Sequence, residues 1–116
     1  MSLASQLPAD VTENRTLLWI GRSGRQYRLL PESLSDFQLV DNVVHVLVTS
    51  ARAHWAGSAA DVVADPYSRT QFRRTMAGEV EVYRLEPTPD EGSRPLVSWD
   101  IVNGTPAAPL RLVGCA

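Results

Sequence analysis

Residues Val43 to Thr49 constrain this chain more than any other stretch. Five of the seven are β-branched, and Leu47 adds a sixth bulky aliphatic or branched side chain. β-Branched residues are stiff at their first side-chain torsion and favour a pleated strand over a helix. Period-two alternation puts Val44, Val46 and Val48 on one face and Val43, His45, Leu47 and Thr49 on the other. Both faces are largely apolar. A strand of this kind must be covered above and below, which predicts a central strand flanked on both sides.

The rest of the chain supplies its partners. Thr16 to Ile20 and Arg25 to Leu30 are β-prone runs separated by Gly21-Arg22-Ser23-Gly24, a hairpin signal. Phe37 to Val40 has a short strand pattern, and Arg52 to Trp55 is placed to pair back on the valine strand through Ser50-Ala51. Glu79 to Leu85 alternates as a half-exposed strand, and Leu96 to Val102 reads as its antiparallel neighbour. Asn103-Gly104 then reads as a tight turn. Pro106 and Pro109 limit Leu110 to Val113 to a short edge strand.

Between the strands the period changes. Ser58 followed by Asp61 resembles a capping box that opens a short helix over Ala59 to Ala64. Asp65-Pro66 restarts a helix over Tyr67 to Ala77, closed by Gly78, with Phe72 and Met76 on one face. The expected fold class is therefore α+β: a mostly antiparallel sheet of about five to six strands, with a helical segment at residues 58–77 packed on one face. Residues 1–14 read as a loosely ordered arm and residues 15–116 as a single domain.

Composition removes several functional classes. All 11 basic residues are arginine, so no lysine is available for a Schiff base or a phosphate-binding loop. The net charge of −2 gives no general attraction to nucleic acid or anionic lipid. A lone cysteine, Cys115, forms neither an internal disulfide nor a multi-cysteine metal site. No cofactor is expected, and no membrane contact. With neither a leader nor a long apolar run in the sequence, a cytoplasmic location is expected.

The segment from Arg52 to Arg74 gathers the candidate binding residues: Arg52, His54, Trp55, Tyr67, Arg69, Arg73 and Arg74. Arg69 and Arg73 fall on one helical face with Arg74 at its flank, a pattern that suits an anionic partner or internal pairing to Asp65, Glu79 or Glu81. His54 with Asp61 or Asp65 is the alternative enzymatic constellation, and His45 with His54 would need a further ligand to hold a metal. From Val46 to Ala64 the order of strand, Trp55-Ala56-Gly57 and short helix loosely resembles the core of the GIY-YIG nucleases, with Arg69 standing for their helical arginine. The first tripeptide of that motif is missing and its metal-binding glutamate has no counterpart, so no membership is drawn from it. The leading expectation is a non-enzymatic binding or protein-interaction module, whose partner is another protein or a second copy of itself. It rests on three tryptophans, Trp19, Trp55 and Trp99, in a short chain. Nucleic-acid or anion binding through the arginine helix is the second reading.

Overall fold

The computed structural model describes residues 16–107. The expected strand at Leu110 to Val113 and the arm at residues 1–14 lie outside them. The described elements are β1 (Leu17–Ile20), β2 (Gln26–Glu32), β3 (His45–Thr49), β4 (Arg52–Gly57), α1 (Ala59–Ala64), α2 (Pro66–Met76), β5 (Glu81–Glu86), α3 (Arg94–Val102) and β6 (Thr105–Pro106). All strand pairings are antiparallel, and the six strands form one sheet in the order β4-β3-β5-β2-β1-β6. The fold is α+β. The sheet curls until β4 and β6, its two margins, come into contact.

The valine strand is where its sequence requires. β3 lies between β4 and β5, and Val44, Val46 and Val48 are buried. They join Leu17, Trp19, Leu29, Tyr83 and Leu85 in the larger hydrophobic cluster, which α3 closes with Val97 and Ile101. Leu47, on the opposite face, joins Trp55 and Val82 in a second cluster. Val62, Phe72 and Met76 of α1 and α2 cover that cluster. The helical segment thus covers one face of the sheet, and a third helix covers the other.

Two local devices shape β4. Ser50 and Ala51 both have positive φ (54° and 64°), as a two-residue type I′ hairpin turn demands, although neither is glycine. In the ladder, Val48 pairs with Ala53 and Leu47 with Trp55, so His54 is an extra residue. Strict alternation would put Ala53 and Trp55 on the same face. The bulge at His54 instead gives Ala53 to the larger cluster and Trp55 to the second.

Three sequence expectations give way. Phe37 to Val40 is not a strand, because it has no sheet neighbour; Phe37 and Leu39 lean onto the second cluster from a loop. That loop is pinned by His45, whose Nε2 accepts the Val40 N–H at 3.0 Å while Nδ1 donates to Glu32 Oε1 at 2.9 Å. Glu79 to Leu85 does not present a water-facing side as its alternation suggests, because β5 buries residues on both faces: Tyr83 and Leu85 in the larger cluster and Val82 in the second. The largest correction is Leu96 to Val102, which is helix and not strand. Its buried residues are Val97, Asp100 and Ile101, the spacing of a helical face. Asn103-Gly104 accordingly ends a helix and does not turn a hairpin. Gly104 packs against the carbonyl of Ile20 so closely that a Cβ would collide with it.

Candidate functional site

The residues singled out between Arg52 and Arg74 do not converge. Trp55 is buried, donates its indole N–H to Ser68 Oγ at 2.9 Å, and meets Phe72 edge-on at 4.9 Å between ring centroids. Arg69 turns back along the chain: its Nη1 donates to the carbonyls of Val62 (2.9 Å) and Val63 (3.2 Å) at the end of α1. That bond replaces the expected pairing with Asp65. Arg73 and Arg74 are exposed in the last turn of α2 and form no ion pair among the described residues, so the pairing to Glu79 or Glu81 is also absent. Tyr67 is exposed at the start of the same helix, and Arg52 and His54 are exposed on β4.

The alternative enzymatic residues are occupied with folding. Asp61 Oδ2 accepts the Ser58 N–H at 2.8 Å, and Asp65 Oδ1 accepts the Tyr67 N–H at 3.0 Å; both serve helix starts. His45 and His54 are not neighbours either, since Gly57 is the residue opposite His45. Among the described residues, no three His, Cys, Asp or Glu side chains form a group that could hold a metal ion.

A different site is assembled around α3. Pro95 sits in its first turn, where a missing N–H costs nothing, and the helix lies on the sheet through Val97 and Ile101. The Trp19 indole N–H donates to the Ile101 carbonyl at 2.8 Å and fixes the helix against β1. This anchoring turns Asp100 inward, where it is 6% exposed. The β1–β2 turn reaches over to meet it. Ser23 N–H donates to Asp100 Oδ1 at 2.8 Å, Ser23 Oγ donates to Oδ2 at 2.7 Å, and Tyr27 OH donates to Oδ2 at 2.7 Å. The Arg22 N–H donates to the Asp100 carbonyl at 3.1 Å. Gly21 is required by the same contact, because a Cβ there would overlap the carboxylate.

These bonds set the charge states. Burial works against ionisation of Asp100. The hydrogen bonds from Ser23 and Tyr27, with the nearby charge of Arg25, outweigh it and hold the carboxyl below its ordinary value. For Tyr27, burial comes first and the bond to Asp100 second; together they push the phenol up to about 12. The site therefore carries a fixed carboxylate and a fixed neutral phenol at neutral pH.

Beside this network runs an open depression in two lobes. The first, about 420 Å³, is lined by Ser23, Arg25, Tyr27, Ser93, Trp99 and Asp100, together with Leu96 and Val97. The second, about 310 Å³, lies along Arg28, Leu85, Pro87, Pro89 and Val97. Arg25, Tyr27 and Val97 belong to both lobes. On the rim, Leu96 is 74% and Trp99 55% exposed. α3 thus turns a carboxylate inward and two large apolar side chains outward, the reverse of ordinary helix patterning.

Little in the sequence signals this arrangement. Val97, Trp99 and Ile101 mimic strand alternation, and an acid on an inward face breaks the helical period. The available signal was Ser93 two residues before Pro95, with Gly104 beyond the end: a helix start and a helix stop. No family model matches the sequence, and no curated protein or solved structure gives a significant match, so the functional reading rests on the groove along α3 itself.

Proposed function

We propose that this chain is a cytoplasmic, non-enzymatic protein-interaction module whose partner docks in the groove along α3. The observation that carries the reading is Trp99, more than half exposed on the rim of a concave surface whose floor is locked by Asp100, Tyr27 and Ser23. An aromatic anchor beside a preformed depression is the arrangement found at interface hot spots. A rigid floor also lowers the ordering cost of binding. Catalysis is the weaker reading. A phenol raised to about 12 and a carboxylate held low are both far from the neutral poise that acid–base chemistry needs.

Selection of a random peptide library against the wild-type chain and Trp99→Ala tests the reading. Binders enriched on the wild type are expected to lose affinity for W99A and to protect the amides of residues 23–28 and 94–100 from hydrogen exchange. Binders that ignore the substitution and protect α2 instead would refute it.

The second reading is anion binding through α2. It is supported by Tyr67, Arg73 and Arg74, all exposed, with no ion pair formed by either arginine among the described residues. Cations in the last turn also favour the helix dipole, which gives both arginines a structural role. Arg73→Ala discriminates between the two roles. An anion site predicts weaker oligonucleotide binding and a salt dependence reduced by about one counterion; a dipole role predicts a stability loss below about 1 kcal/mol with no binding phenotype.

A further inference from the structure

Resting on the reading of the α3 groove as a docking site, we propose that its occupant is a partner peptide carrying a carboxylate next to a large apolar side chain. Charge leads the argument. Two acids line the depression, and both already have partners. Asp100 accepts three hydrogen bonds from Ser23 and Tyr27, and Glu86 lies 3.8 Å from Arg84. Arg25 stands where the two lobes meet and forms no ion pair among the described residues. Arg28 also lines the groove and forms no ion pair among the described residues, so with Glu86 held by Arg84 two guanidiniums face the single charge of Asp100. That excess is complementary to one added carboxylate, which Arg25 at the junction engages through charge-assisted hydrogen bonds.

Shape supplies the second half. The lobe on the Pro87 side is walled by Leu85, Pro89 and Val97 and suits an apolar side chain placed beside that acid. Leu96 and Trp99 line the first lobe yet stay largely exposed on its rim. A small molecule filling the lobes covers only their inner sides, whereas a peptide crossing the groove also covers their outer sides as it leaves. The carboxylate sets register and the apolar residue supplies most of the contact area.

The test uses the isotopically labelled full chain, titrated by amide NMR with acetyl-Leu-Glu-Leu-amide, its Gln counterpart and hexanoate. The Glu peptide is expected to shift the amides of Arg25, Tyr27, Val97 and Trp99 saturably, and the Gln peptide to bind roughly tenfold more weakly. Arg25→Gln is expected to abolish that difference while leaving affinity for the Gln peptide unchanged. Its amide dispersion verifies the fold. Equal binding of both peptides at these amides would overturn the carboxylate assignment and leave the groove as a docking site. Absence of shifts there with every probe would overturn both. Hexanoate matching the Glu peptide would reassign the groove to free carboxylates. Concentration-dependent shifts at the same amides without any peptide would make a second copy the occupant.

Discussion

Asp100 shows how much one side chain can organise. It joins α3 to the β1–β2 turn, and its bonds are to Ser23 and Tyr27, 77 and 73 residues earlier in the chain. Asp100→Asn is expected to cost about 2–3 kcal/mol, since an amide donor then faces donors. Tyr27→Phe should cost about 1.5 kcal/mol, the worth of one hydrogen bond to a charged group. Denaturant midpoints across pH separate the two. The Asp100 carboxyl is held low when folded, so its contribution is full above the ordinary carboxylate range and is lost as pH falls through the folded value. Tyr27 behaves in the opposite sense. Its contribution is complete below its ordinary value near 10 and disappears as pH rises towards about 12. D100N is expected to flatten the acid limb and Y27F the alkaline limb. His45 was legible at this scale as a satisfied histidine, because an imidazole in an apolar strand must find partners, although it is fully and not half buried. Asp100 was not legible, because its partners are distant in sequence.

Elements were readable where their signals were local. The hairpin at Gly21 to Gly24, the capping box at Ser58 and the Asp65-Pro66 helix start depend on residues within a few positions of one another. α3 was not readable, because its exposed face carries Leu96 and Trp99 while an acid lies on its buried face. The β3–β4 turn gives a prediction of its own. Ser50 and Ala51 hold a left-handed conformation that L-residues resist, so replacing them with Asn-Gly is expected to stabilise the fold by about 1 kcal/mol, measured by chemical denaturation. A second prediction concerns the bulge. Deleting His54 leaves Ala53 opposite Val48 and Trp55 opposite Leu47, so the deletion variant is expected to fold with both clusters intact. Unchanged near-ultraviolet circular dichroism would support this; loss of cooperative unfolding would contradict it.

At the scale of the whole molecule, the three tryptophans divide two to one. Trp19 and Trp55 are core, while Trp99 faces solvent. Iodide is therefore expected to quench one of three emitters in the native protein, and W99F to remove the quenchable fraction. All three become accessible on unfolding. The α+β class and the central strand were legible because a two-faced apolar strand admits few surroundings. The curl of the sheet was not, since it depends on contact between β4 and β6, which are far apart in sequence. That curl also affects how copies of the protein behave together. An open sheet offers its two outermost strands to any neighbour with free backbone groups, the first step of amyloid-like stacking. Here β4 is packed against α3 and touches β6, and β6 is two residues long and ends in Pro106, which has no N–H to donate. Both margins are guarded by the same closure. Loosening α3 would then expose two templates for stacking at once, and partial unfolding of this protein should lead to fibrous aggregation more readily than its native state does.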